Sequence, residues 1–163
     1  MALIVRRVTD EADLEKMTGW MHGWWGPQEG YCHDAVRVYL ARGIHSQTLP
    51  QTYGMYLDGR LIGMYQFTRG DLFVRPDLSP WLANVYVDEP FRKGGYGRQM
   101  LSTVLENARA NLQTDAVYLY TSHQGLYEKF GWTFVEEVDT FLKPRMQRLY
   151  RLDLTDEKGV LNA

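Results

Sequence analysis

The residues best suited to chemistry lie in one stretch, Val85-Tyr86-Val87-Asp88-Glu89-Pro90-Phe91-Arg92-Lys93-Gly94-Gly95-Tyr96-Gly97-Arg98. An apolar run gives way to a glycine-rich turn, and a helical pattern of apolar residues follows. Backbone N–H groups at the start of a helix, with the helix dipole behind them, hold anions, and glycines let a phosphate approach them closely. Arg92, Lys93 and Arg98 bring positive charge to the same turn. Two common phosphate motifs are excluded by residue type. A P-loop needs Gly-Lys-Ser/Thr, which is absent, and a dinucleotide fingerprint needs a third glycine where Met100 stands. The placement is what a diphosphate cradle between a strand and a helix needs, the alternative being that Gly94, Gly95 and Gly97 make only a tight turn with the basic residues as a solvated rim.

At this turn the chain resembles the GNAT superfamily of acyl-CoA-dependent N-acyltransferases, whose signature is [Arg/Gln]-x-x-Gly-x-[Gly/Ala]. Arg92, Gly95 and Gly97 fill it. The resemblance continues in Leu126-Tyr127-Glu128-Lys129-Phe130-Gly131-Trp132, similar to the family's second motif, a tyrosine on a short helix followed by glycine and an aromatic residue. It covers residues 53–154, the acyl-CoA-binding core, while residues 1–50 match only in their strand and helix pattern and form the segment that usually shapes the acceptor site. The resemblance implies acetyl-CoA as co-substrate, with no metal. It also implies an opening between two central parallel strands, where main-chain groups of Val85 and Val87 meet the pantetheine arm. Arg92, Lys93, Gly94, Gly95, Tyr96, Gly97 and Arg98 would hold the pyrophosphate. The sequence departs from the family in having Glu89-Pro90 and Lys93-Gly94 where Pro-Glu and Gly-Lys are more frequent. It also has Tyr120 and His123 where many relatives carry Asn and Ala.

Moving an acyl group from a thioester to an amine requires a deprotonated amine, a stabilised oxyanion and a protonated leaving thiolate. Tyr127 matches the family's general acid, and a backbone amide of the Val85–Val87 segment would hold the oxyanion. The base stays open between His123, Asp88, water and residues such as Glu29. With no cysteine near either motif, the expected mechanism is direct attack in a ternary complex. Trp20, Trp24, Trp25 and Trp81 are expected to line an acceptor pocket, whose aromatic faces suit a small-molecule amine. A non-catalytic acyl-CoA sensor and a peptide or protein amine acceptor are the alternatives.

Composition sets the frame for these residues. The formal charge of −2 excludes a net-charge argument for nucleic acid or an anionic membrane as partner. The N-terminal apolar run stops at Arg6-Arg7, short of the roughly 18 residues of a membrane span. The lone Cys32 fits a reducing cytoplasm. A homodimer is left open. One domain is expected over residues 1–163, an α/β (α+β) fold with a mixed, largely antiparallel sheet, a splayed central parallel pair and helices on both faces.

Patterning places the elements in turn. Strand Leu3 to Val8 precedes a helix from about Glu11 and another over Asp34 to Arg42. Tyr53 to Leu57 and Leu61 to Thr68 form a hairpin around Asp58-Gly59. Strand Leu82 to Val87 leads through the glycine turn to a helix bearing Met100, Leu101, Val104, Leu105 and Ala108 on one face. Ala116 to Tyr120 reads as a parallel strand buried on both faces, followed by a short helix, Gln124 to Phe130, capped by Gly131. Trp132 to Val138 and Arg148 to Leu154 form a second hairpin, and residues 155–163 a frayed tail.

Overall fold

The computed structural model describes residues 2–155. Its strands, β1 (Leu3–Arg7), β2 (Gln51–Leu57), β3 (Arg60–Thr68), β4 (Trp81–Val87), β5 (Ala116–Thr121), β6 (Thr133–Asp139) and β7 (Met146–Asp153), form a seven-stranded, mostly antiparallel sheet of order β1-β2-β3-β4-β5-β7-β6, with one parallel pair, β4 and β5. The chain divides into two compact units, one holding the residues up to Phe67 with Asn84–Met100, the other Thr68–Ala83 with the residues from Leu101 onward. The division falls inside β4, Trp81–Val87, whose burial changes at the same place: Trp81, Leu82 and Ala83 are buried, and Asn84 to Val87 are half-buried.

In the first unit, β1 (Leu3–Arg7) pairs antiparallel with β2 (Gln51–Leu57), which forms the expected hairpin with β3 (Arg60–Thr68). The turn residues Asp58 and Gly59 have φ values of 49 and 82, the left-handed pair that a two-residue hairpin turn demands. Both β2 and β3 are buried almost throughout, so the polar/apolar alternation of a half-exposed strand is missing. Helices α1 (Leu14–Trp24) and α2 (His33–His45) bury Leu14, Met17, Met21, Val36, Leu40 and Ile44 with Tyr56, Leu61 and Met64. Each such side chain stabilises the unit by about 1.5–3 kcal/mol. Helix α1 begins three residues later than its pattern predicts, because Asp10 accepts the Ala12 N–H at 2.9 Å in a turn of its own before the helix starts.

The second unit joins the start of β4 to β5 (Ala116–Thr121) in parallel, with Trp81 opposite Tyr118 and the Tyr118 N–H donating to Pro80 O at 3.0 Å. Strand β7 (Met146–Asp153) pairs antiparallel with β5 and with β6 (Thr133–Asp139), the expected second hairpin. Its core gathers Leu72, Trp81, Val138 and Leu149. Tyr118 and Tyr120 are only half-buried, so β5 is not covered on both faces along its whole length.

Two expected helices differ. The single helix through Met100–Ala108 is interrupted at Ser102-Thr103 into α3 (Tyr96–Leu101) and α4 (Val104–Asn111), at two residues of a type that is unfavourable in helix interiors. Met100, Leu101, Val104 and Ala108 are nevertheless buried as the pattern required. The helix expected from Gln124 is a 3-10 turn over Tyr127–Phe130, closed as expected by Gly131 at φ 91. Thr155, the first residue of the expected tail, is bonded to Asp153 through its N–H and hydroxyl; residues 156–163 lie outside the described residues.

Gly43 of α2 lies close against β2 and β3. A Cβ there would stand 2.8 Å from both Gln66 Nε2 and Thr52 Oγ1, which are hydrogen-bonded to each other at 2.9 Å. Alanine ordinarily improves a helix over glycine by about 1 kcal/mol, but crowding a packed interior and breaking a buried hydrogen bond each cost about 1–3 kcal/mol. Gly43→Ala is therefore expected to lower stability by about 1–2 kcal/mol in chemical denaturation. Unchanged stability would show that the Gln66–Thr52 pair yields freely.

Candidate active site

The first unit holds the glycine turn and the residues around it. After β4 a 3-10 turn, Glu89–Phe91, leads into Arg92 to Gly95, and α3 starts at Tyr96. Gly95 has φ +82, a conformation that L side chains rarely adopt, and a Cβ there would meet nothing within 4 Å. The loop is thus open above Gly95, as a cradle for a bulky anion must be. A Gly97 Cβ would make ordinary contact with Val87 Cγ2 at 3.6 Å. Lys93 itself has φ 67, so the departure from the family's Gly-Lys order puts a lysine where glycine would be unstrained.

The basic residues of the turn are not equivalent. Arg92 folds back over β4, its Nε donating to Val87 O at 2.8 Å and its guanidinium 4.9 Å from the Tyr86 ring centroid. Lys93 and Arg98 are exposed. Asp88, one of the candidate bases, faces the Lys16 ammonium at 4.0 Å, and its N–H donates to Ile62 O at 2.8 Å.

Tyr86 is the hub of the aromatic cluster. Trp20 lies 5.2 Å and Trp24 5.8 Å from it, centroid to centroid. Trp25 meets Tyr31 and Tyr39 edge-on, and its indole N–H donates to Asn84 Oδ1 at 3.1 Å. Trp20 is buried, Trp25 half-buried and Trp24 exposed. Lys16 stands 5.6 Å from the Trp20 ring, so protein cations already occupy part of the surface expected to receive a cationic amine. Cys32 is exposed and free at the start of α2.

The second unit holds Tyr127 and His123. Tyr127 is 7% exposed, packed against Trp132 and Tyr150 with centroids 6.1 Å away in each case. Burial pushes its phenol up to about 12, so it is a protonated donor at neutral pH. His123 is exposed in the loop before the 3-10 turn, its N–H donating to Thr121 Oγ1 at 3.1 Å. Helical geometry begins only at Tyr127, so His123 and Tyr127 share no helix face. Trp81 is fully buried in the core, its indole N–H donating to Leu78 O at 2.7 Å. It therefore presents no surface for an acceptor and is not a pocket wall.

Sequence reasoning passed over Asn84, Gln66 and Tyr86. An asparagine inside a strand and a glutamine inside an apolar run are the signals that could have found the first two. Among the described residues no group of three His, Cys, Asp or Glu side chains is placed to hold a metal ion, and no helix is long and apolar enough to cross a membrane.

A family model described as the acetyltransferase (GNAT) family matches residues 14–132. No curated protein sequence matches the chain. Solved structures do. One is yncA of Salmonella typhimurium with its cofactor acetyl-CoA, at TM-score 0.71 and 18% identity, covering 96% of each chain. Another is a chimera of the spermidine N-acetyltransferase SpeG from Vibrio cholerae with hSSAT, at TM-score 0.72 and 15% identity, covering 94% of this chain and 96% of that one. RimL, a ribosomal alpha-N-protein acetyltransferase in complex with coenzyme A, has TM-score 0.71 and 13% identity over 94% of this chain and 95% of its own. At these identities the likeness is one of fold.

Two outcomes follow from this geometry. Gly95→Val forces a β-branched residue into the left-handed region and fills the opening. Binding of CoA, measured by calorimetry, is expected to weaken at least about tenfold, and unchanged affinity would remove the turn from the binding site. The Tyr127 phenol ionises near its usual value of 10 when unfolded and near 12 when folded, so between these pH values the folded state binds the proton more tightly. Stability is retained below pH 10 and falls as pH rises towards 12, by at most about 3 kcal/mol from this group. Tyr127→Phe should remove that share of the alkaline loss in denaturation curves, and an identical alkaline slope in the variant would contradict it.

Proposed function

This chain belongs to the acetyltransferase (GNAT) family, and on that premise we propose that it moves an acetyl group from acetyl-CoA to a primary amine of a small molecule, by direct attack in a ternary complex. The observation that carries the reading is the turn between β4 and α3, which fits the diphosphate of the co-substrate: Gly95 at φ +82 leaves it open, and Lys93 and Arg98 stand exposed beside it. Acetyl-CoA supplies the thioester; everything else is asked of this chain's residues.

The amides from Lys93 to Arg98 hold the pyrophosphate. Val85 and Val87, half-buried near the end of β4, would pair with the pantetheine amides. An amide of the same segment donates to the thioester oxygen as it takes negative charge, so no charged side chain is needed for that step. Tyr127 gives its proton to the departing thiolate. Its phenol is neutral and buried, and no hydrogen bond joins its hydroxyl to another described residue, which leaves the donor free for the sulfur. The proton of the attacking amine goes to His123, Asp88 or an ordered water. Direct attack accords with the one cysteine, Cys32, standing exposed at the N-terminus of α2. The exposed face of Trp24, with Tyr31 and Tyr39 beside Trp25, supports a compact acceptor.

The discriminating experiment is Tyr127→Phe assayed for free-thiol release across a panel of amines, with acetyl-CoA affinity measured on the same preparation. Removing a general acid typically costs 10²- to 10⁴-fold. A fall in kcat of about 10²-fold with affinity retained is expected, since a thiolate is already a fair leaving group. Full activity in the variant would take Tyr127 out of the mechanism. Acetyl-CoA binding without turnover on any amine would favour the sensor reading, and turnover only on peptide amines would move the acceptor to protein.

A further inference from the structure

Asn84 stands inside β4 with φ 53, a left-handed conformation foreign to strands that asparagine tolerates better than most residues. Such a conformation persists only where its surroundings over-determine it. Here the carboxamide is held from three sides. Its Nδ2 donates to Gln66 Oε1 at 2.7 Å and to the Tyr39 hydroxyl at 3.3 Å, and its Oδ1 accepts the Trp25 indole N–H at 3.1 Å. Gln66 is fully buried in β3 and passes the chain of bonds on, Nε2 donating to Thr52 Oγ1 of β2 at 2.9 Å. The clamp thus draws on two strands, on α2 and on the residue that closes α1. A left-handed residue within a strand redirects every N–H and C=O that follows it, here those of Val85–Val87.

We propose that Asn84 is a positioning residue for acetyl transfer: its clamped carboxamide fixes the kink of β4, and the kink sets the direction of the Val85–Val87 amides that meet the thioester. The inference rests on the acetyltransferase reading above and adds to it a residue that never touches the reacting atoms. Through Trp25 and Tyr39 the same clamp ties those amides to the aromatic cluster. With the clamp removed, acetyl-CoA still finds its turn, but the thioester is held less well aligned, so kcat falls and affinity does not.

The test uses the full chain with Asn84→Gly, Gln66→Leu and their combination. Glycine accepts φ 53 without strain, so Asn84→Gly removes the carboxamide while the backbone remains free to keep its path. The expected result is a kcat lowered about tenfold or more, acetyl-CoA affinity within about twofold, and faster amide hydrogen exchange at Val85–Val87. Gln66→Leu should lower kcat comparably, and the double variant should lose no more than the worse single one, since both break one chain of bonds. Should either variant fold poorly, Trp25→Phe removes the indole donor together with part of the ring, and it carries the same expectation in milder form. Unchanged kcat, or a lowered Tm with kcat intact, overturns the proposal. If the unaltered chain acetylates no amine, it is the acetyltransferase reading that fails. The exchange measurement then decides on the clamp alone: faster exchange at Val85–Val87 supports it and unchanged exchange overturns it.

Discussion

The hydrogen bond from Asn84 to the buried amide of Gln66, 2.7 Å long, is the contact on which the first unit's working face depends. It closes a chain of polar groups inside an otherwise apolar interior, where an unpaired amide would cost about 1–3 kcal/mol. The left-handed backbone of Asn84 costs on the order of 1–3 kcal/mol, and the three hydrogen bonds on its carboxamide, each worth about 1 kcal/mol, offset that strain. Because Gln66 and Thr52 are fully buried, a change at one of these residues leaves the next without its partner. Gly43 belongs to the same arrangement, since any larger residue would press on the pair that anchors it.

Around this anchor the first unit divides its aromatic residues between packing and exposure. Trp20 and Met21 are sunk in the core with Leu14, Met17 and Leu40, which fixes α1. Trp24 remains exposed on the same helix, and Tyr86 between Trp20 and Trp24 carries the cluster onto β4. Lys16 and Arg92 lie over Trp20 and Tyr86, so the cations on those two faces are the protein's own. In the second unit the same economy appears around Tyr127. Glu128, beside it in the 3-10 turn, accepts from the Tyr150 hydroxyl at 3.1 Å and from the Gly125 N–H at 3.2 Å, while the Tyr127 ring packs against Trp132 and Tyr150. The neighbours hold the turn in place and leave the Tyr127 hydroxyl unengaged.

Local signals were the legible ones. Asp58-Gly59 announces its hairpin because only such residues take two consecutive left-handed conformations cheaply, and Gly131 announces the end of its turn for the same reason. The glycine turn and the tyrosine motif are short contiguous strings, so the family was readable from them alone. What escaped the sequence is what tertiary packing decides. Trp81 has the same composition signal as Trp24, yet one is fully buried and the other exposed, because their neighbours come from distant segments. His123 at four residues before Tyr127 would share its face in a helix, but no helix forms there until Tyr127, and spacing alone does not reveal that. The break at Ser102-Thr103 falls within a sequence whose apolar period continues undisturbed. The Asn84 clamp joins residues 18, 45 and 59 positions apart, a separation no local pattern records.

Acetyl transfer as proposed requires acetyl-CoA to bind along β4 and the glycine turn. Titrating the isotope-labelled chain with acetyl-CoA and following its backbone amides by heteronuclear NMR tests this most directly. The expected result is saturable shifts at one equivalent, largest from Val85 through Arg98 and including Gly95 and Gly97. Saturation with those amides unmoved, or no saturable shift anywhere, would contradict it.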